Sequence, residues 1–188
     1  KRGLWRAICS RICAVFAMDW RMTEIAFNGI DEGALVTLAR ELAPRLRGGG
    51  SIHLAGPLGA GKTTFARALL RALGAGERVK SPTYTLIESY ALADLTAQHL
   101  DLYRIAAAEE LEWLGLRDLA DGAVLWLIEW PERGAGAIPE PDLTVSLAHA
   151  AAGRDVHLLA HGEVGRGWLE GLRKEPGLDA GQRVSRDS

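Results

Sequence analysis

Cysteine is almost missing: Cys9 and Cys13 are the only two in 188 residues, and both lie near the start. That excludes a disulfide framework, leaves no second pair to complete a zinc site, and fits a reducing cytosol. A long hydrophobic run is missing too. Ile12 to Met18 is at the lower limit for a secretory h-region, and no later stretch approaches the roughly 20 apolar residues of a membrane span, so no membrane association is expected. Nor is there an excess of one charge. With 22 basic and 24 acidic residues and a net charge of −2, the molecule as a whole is not built to coat nucleic acid or an anionic bilayer, and any nucleic-acid contact must be local. The five histidines, His53, His99, His149, His157 and His161, show no HExxH spacing. His157 and His161 fall in an extended Val-Leu-Leu run that would separate them by about 13 Å, too far to share an ion. All five read as core or surface histidines.

What is present suffices for one domain: 48% of the residues are apolar, enough for a single well-buried core. Residues 1–21 stand apart, with Lys1, Arg2, Arg6, Arg11 and Arg21 against Asp19 alone. This acid-poor opening is expected to be a disordered leader or an upstream extension before Met22, with a targeting segment as the alternative. From Met22 to about residue 172 the pattern is that of mixed α/β structure. TEIAF reads as a strand and NGIDEG as turn and helix start. Leu35, Leu38, Leu42 and Leu46 form one helical face that Pro44 should end or bend near Ala43. SIHLAG is a strand. Phe65, Leu69, Leu70 and Leu73 mark a helix closed by Gly74 and Gly76. VKSPTYTLIESY leads through a loop into β structure, AQHLDLYRI is a second strand, and EELEWLGLRDLADG is helical in composition up to Gly122. AVLWLIEWPE is apolar without alternation, the pattern of a strand buried on both faces. LTVSLAHA and DVHLLAHG close the sheet around a turn at Gly153, GRGWLEGLRKE forms a last helix, and the tail from 173 is polar.

Between the strand SIHLAG and the following helix lies Gly56-Pro-Leu-Gly59-Ala60-Gly61-Lys62-Thr63-Thr64, which satisfies G-x-x-x-x-G-K-[ST] in the strand–loop–helix context that pattern requires. Bare backbone lets a phosphate approach several N–H groups, and the helix start adds its partial positive charge. In this reading Lys62 reaches the β- and γ-phosphates and the Thr63 hydroxyl ligates Mg²⁺. An acid is then needed near the metal, at the carboxyl end of an adjacent buried strand. Glu129 directly follows AVLWLI, where its charge would be costly without a cation or donor partner; a surface glutamate just past the strand end is the alternative. Asp101, in HLDLYR, is a second candidate acid. A Ras-type GTPase is disfavoured because the Asn/Thr-Lys-x-Asp signature is absent and Asn28 is the single asparagine. A nucleotide or small-molecule kinase stays open, with Arg104, Arg117 and Arg133 as scattered candidates for a second phosphate clamp.

LGAGKTTFARALLRALG, VKSPTYTLIESY, HLDLYRI, EELEWLGLRDL and LIEWPERG, in this order and spacing, resemble the TsaE (YjeE) family of bacterial P-loop ATPases, over roughly residues 22 to 170. The resemblance implies a P-loop NTPase-like three-layer α/β/α domain with a mostly parallel or mixed central sheet. It further implies slow hydrolysis of ATP, Mg²⁺ held by Thr63 and Glu129, a role for Asp101 in hydrolysis, and switch-like behaviour of SPTYT. The cofactor-binding set is expected to be Gly56, Gly59, Ala60, Gly61, Lys62, Thr63, Thr64 and Trp130, with Asp101, Glu129 and Lys62 as catalytic residues. The implied partners are the TsaD and TsaB proteins, with tRNA met through their complex, in the cytoplasm, serving threonylcarbamoyladenosine modification; an ATP-dependent scaffold without turnover is the third reading. Proline at position 57, usually acidic in the family, and the absence of a counterpart for residues 1–21 depart from the pattern.

Overall fold

The computed structural model describes residues 24–116 and 118–174, together with the backbone of a two-residue strand at 183–184. The expected leader at 1–21 lies outside the described residues, as does the tail from 175 apart from that strand. In chain order the regular elements are β1 (Glu24–Ile30), α1 (Glu32–Leu42), β2 (Gly50–Ala55), α2 (Lys62–Ala72), β3 (Ile87–Ala91), β4 (Thr96–Asp101), β5 (Val124–Glu129), β6 (Leu143–His149), β7 (Arg154–Ala160), α3 (Gly162–Arg173) and β8 (Arg183–Val184). The eight strands form one mixed sheet in the order β3-β4-β5-β2-β6-β7-β1-β8. β4, β5, β2 and β6 run parallel at its centre, and the strands on either side are antiparallel.

β5 explains its own position. All six of its residues are buried, with Leu125 and Leu127 on the face covered by α1, α2 and α3 and Val124, Trp126 and Ile128 on the opposite face. Only a strand covered on both sides tolerates such a run. β7 instead alternates, with Val156, Leu158 and Ala160 buried and the residues between them half-exposed, so the helices cover one side of it.

The third layer differs from expectation. EELEWLGLRDLADG does not form an α-helix but two 3₁₀ segments, Ala108–Leu114 and Asp118–Ala120. Gly115, at φ +63°, interrupts the chain in the left-handed region. The segment packs through Leu111, Leu114, Leu116 and Leu119 against the outer face of β4 and β5. Burial rather than helix propensity decides its path.

Other boundaries shift by a few residues. β1 continues through Asn28 and Gly29 to Ile30, and Asp31 caps α1 by accepting the Ala34 N–H at 2.7 Å. α1 ends at Leu42 and tightens into a 3₁₀ turn, Ala43–Leu46, with Pro44 in its first turn, where the missing proline N–H costs least. The extended part of HLDLYRI stops at Asp101. α3 starts at Gly162, ahead of the GRGWLEGLRKE stretch.

Candidate functional site

β2 delivers the glycine loop at the carboxyl end of the parallel strands, where open α/β sheets collect their ligands. The loop's shape depends on glycine at two positions above all. Gly56 has φ +133° and Gly61 φ +110°, values that L side chains rarely adopt. A Cβ on Gly56 would lie 2.1 Å from the Leu147 carbonyl oxygen, and one on Gly61 2.3 Å from the Arg154 guanidinium. The loop is therefore seated against β6 and β7 as well as between β2 and α2. His149, at the end of β6, shares a hydrogen bond with the Leu58 carbonyl at 3.1 Å. Ala60 is buried inside the loop. The Phe65 N–H donates to the Gly61 carbonyl at 2.9 Å and opens the helical ladder.

Lys62 is only 5% exposed. Its ammonium donates to the carbonyls of Gly56 and Pro57, at 2.6 and 2.8 Å, and lies 3.8 Å from the centroid of the Trp130 ring. Burial pushes its pKa below the usual lysine range, opposed by the nearby carboxylates of Glu129, Asp101 and Glu132.

Glu129 ends β5 at 2% exposure, and both of its carboxylate oxygens are engaged. Oε2 accepts the Thr63 hydroxyl at 2.9 Å, and Oε1 lies 2.9 Å from Nε2 of His99. The His99 ring is fully buried, and its Nδ1 has no partner. A proton on Nδ1 would be a buried N–H without an acceptor, so the tautomer carrying it on Nε2, donating to Glu129, costs least. Asp101 stands directly opposite Glu129 in the β4–β5 register and is 5% exposed. Its Oδ2 accepts the Thr83 hydroxyl at 3.0 Å, and its Oδ1 accepts the Tyr103 N–H at 3.1 Å. Thr83 belongs to SPTYT, so this segment is tied to the site through Asp101. The segment is followed by Leu86, whose φ is +65° and whose carbonyl accepts the Asp101 N–H at 3.1 Å.

Trp130 has the second positive φ among the described non-glycine residues, +58°. Such backbone costs free energy and gathers at functional sites. Here it carries the chain out of β5, with the indole over Lys62 and its ring centroid 5.0 Å from that of Tyr103. Together these residues line a cavity of about 290 Å³ in which Gly59, Gly61, Lys62, Thr63, Thr64, Thr83, Asp101, Glu129 and Trp130 meet. A hydroxyl and a carboxylate oxygen within hydrogen-bond distance, next to a buried ammonium and a glycine backbone, can hold a hard divalent cation beside a polyanion.

The arginines considered for a clamp are not brought together. Arg104 lines the cavity with its guanidinium 4.7 Å from the Tyr84 ring centroid. Arg133 donates to the Ile105 carbonyl at 3.0 Å and lies over Tyr103, and Arg117 lies outside the described residues. His157 contacts Glu24 and His161 contacts Thr144, each at 2.9 Å.

The family whose description reads "Threonylcarbamoyl adenosine biosynthesis protein TsaE" matches residues 30–156. The chain belongs to the TsaE family. The matched span contains every residue of the cavity, and it places the chain in a family of tRNA threonylcarbamoyladenosine biosynthesis. The chain is 44% identical to the TsaE protein of Haemophilus influenzae over 115 residues, covering 61% of this chain and 73% of that protein. It is 31% identical to the TsaE protein of Bacillus subtilis over 129 residues, covering 69% and 80%. Among solved structures, Bacillus subtilis YdiB superposes with a TM-score of 0.64 at 25% identity, covering 80% of this chain and 94% of that one. The superposition agrees with the mixed α/β architecture. Among the described residues, no helix is long and apolar enough to cross a membrane.

Sequence reasoning missed His99, Thr83 as a partner of Asp101, and the support of the loop by His149. A signal for His99 was available: it lies two residues before Asp101 on one strand and so shares its face. A histidine on that face of a buried strand can reach the carboxylate of the neighbouring one.

Proposed function

We propose that this member of the TsaE family binds ATP with Mg²⁺ at loop 56–64 and hydrolyses it slowly. In this reading it serves threonylcarbamoyladenosine formation in tRNA as a partner of TsaB and TsaD proteins. The observation that carries the reading is the convergence, on one cavity, of the buried side chains of Lys62, Asp101 and Glu129 with that of Thr63, from three separate segments.

The roles follow from the groups. Backbone N–H groups and the Lys62 ammonium bind the phosphate tail, the ammonium exchanging loop carbonyls for phosphate oxygens. Thr63 and Glu129 would hold Mg²⁺, a hydroxyl and a carboxylate oxygen being the hard oxygen donors such an ion takes. When bound, the ion neutralises charge on the phosphate oxygens. His99 fixes the Glu129 carboxylate from behind, and Asp101, held by Thr83 and the Tyr103 N–H, orients a water and accepts its proton. Among the described arginines near the cavity, Arg104 and Arg133 rest on tyrosine rings, and Arg154 packs against Gly61 of the loop. A transition-state arginine is worth about 10³ to 10⁵ in rate, so turnover by the chain alone is slow until a partner supplies or orders one.

The test is phosphate release by the purified chain alone and with TsaB, TsaD and tRNA. Slow turnover that rises with the partners supports the reading, and no hydrolysis in either state would leave an ATP-dependent scaffold. Transfer of the γ-phosphate to a metabolite would favour a kinase. Lys62→Ala should weaken triphosphate binding, and Trp130 fluorescence should respond to nucleotide with Mg²⁺.

A further inference from the structure

The layer over the outer face of β4 and β5 is split by a groove of about 630 Å³ that shares no residue with the glycine-loop cavity. Leu111 and Leu116 come to it from the 3₁₀ segments, Ala137 and Ile138 from the stretch after β5, and the backbone of Gly115 and Gly136 lines the rest. Leu111 is buried, whereas Leu116, Ala137 and Ile138 are half-exposed. Filling such a groove with apolar side chains removes apolar surface from water.

Charge points to what fills it. Residues 106–142 carry nine acidic residues against Arg117 and Arg133 alone, and residues 1–21 carry five basic residues against Asp19 alone, in a chain whose net charge is only −2. Asp118 lines the groove, and Glu109, Asp121 and Glu140 are exposed on the same two stretches of chain. None of these four carboxylates has an ion-pair partner among the described residues, and Arg133 is engaged by the Ile105 carbonyl and the Tyr103 ring. Unbalanced like charges repel one another, and a basic segment laid beside them relieves the repulsion.

The basic leader has the complementary pattern. Trp5, Ile8, Ile12 and Val15 recur at spacings of three and four, which is one apolar face of a helix, and Arg2, Arg6 and Arg11 fall outside that row. Its reach is sufficient. Four strand spacings separate β1 from β5, about 19 Å in all. A helix over residues 4–16 would be about 20 Å long, and the seven residues from there to β1 extend up to about 24 Å. We propose that residues 4–16 dock in this groove as an amphipathic helix. Trp5, Ile8 and Ile12 enter between Leu116 and Ile138, and Arg2, Arg6 and Arg11 lie beside Glu109, Asp118 and Asp121. The leader then completes the outer layer of the domain, whatever the glycine loop binds.

Hydrogen exchange read by mass spectrometry on the full chain tests this. Amides of residues 4–16 should exchange about tenfold or more slowly than in a free peptide of residues 1–21, and high salt should weaken that protection in the unaltered chain. Asp118→Lys with Asp121→Lys should abolish it, as should Arg6→Glu with Arg11→Glu. Combining the two pairs in one chain should restore it in part, because the charges are then exchanged across the contact. Unchanged exchange in β2 and β5 reports that each variant is folded. A leader that exchanges at the free-peptide rate would overturn the proposal. Protection that survives both high salt and the reversal of Asp118 and Asp121 would seat the leader elsewhere and overturn it too. Protection that rises with protein concentration would give the groove to a second copy of the chain instead.

Discussion

Two histidine–glutamate pairs in this molecule have the same length and different surroundings. His99 and Glu129, on the parallel strands β4 and β5, meet at 2.9 Å with side chains 0% and 2% exposed. His157 and Glu24, on the antiparallel strands β7 and β1, meet at 2.9 Å with side chains 38% and 36% exposed. In water, the second pair exchanges one set of hydrogen bonds for another and gains little. In the interior, the first pair has no solvent to fall back on, so losing either member strands the other. The difference shows that a contact distance carries no energetic or functional meaning until its environment is stated. It also separates a half of the sheet that holds the cavity of the glycine loop from a half that completes the wall behind it.

Glu129→Gln should break the comparison most sharply. Loss of the carboxylate facing Thr63 should reduce Mg²⁺-dependent ATP turnover by about 100-fold or more, whereas Glu24→Gln should leave it within about twofold, both read by phosphate release. Next in size is stability. Removing the His99 ring leaves a cavity and one carboxylate oxygen without a donor, so His99→Ala should cost about 3 kcal/mol in urea denaturation. His157→Ala should cost less than about 1 kcal/mol, and less still in high salt. Among apolar side chains, Leu127→Ala in β5 should cost about 2 to 5 kcal/mol because the residue is fully buried. Leu159→Ala in β7, half-exposed, should cost under about 1 kcal/mol.

The smallest effect concerns pH and sits on β2, at the border of the two halves. Burial lowers the pKa of His53, against its hydrogen bond to the Pro139 carbonyl and the charge of Glu140, with His161 adding to the lowering. The folded state therefore binds this proton less readily than the unfolded chain. Its contribution is intact above the ordinary histidine value of about 6.5 and is lost as pH falls from there through the folded value. Unfolding free energy measured across that window should flatten in His53→Gln.

Much of the half that holds the cavity can be read in the sequence because its signals are local. Six apolar positions without alternation announce β5, glycines before a lysine announce the loop, and a glutamate at the end of so apolar a run demands partners, which turn out to be Thr63 and His99. Other features depend on tertiary packing. Residues 108–120 have helical composition, yet the fit of Leu111 beside Gly134 and the left-handed turn at Gly115 divide them into short 3₁₀ segments. The His99–Glu129 contact needs the β4–β5 register, which two separate strands do not state individually. The support of the loop by His149 and Leu147 joins positions about 90 residues apart.

A pleated ribbon offers a side chain two directions and nothing in between. Glu129 is paired with Asp101 across neighbouring strands, so deleting one residue from VLWLIE would rotate the acid to the underside of the sheet, where Ile128 now packs. The stretch can therefore exchange one bulky side chain for another of similar shape while its length stays unalterable, and a single-codon deletion there should cost the protein more than most substitutions.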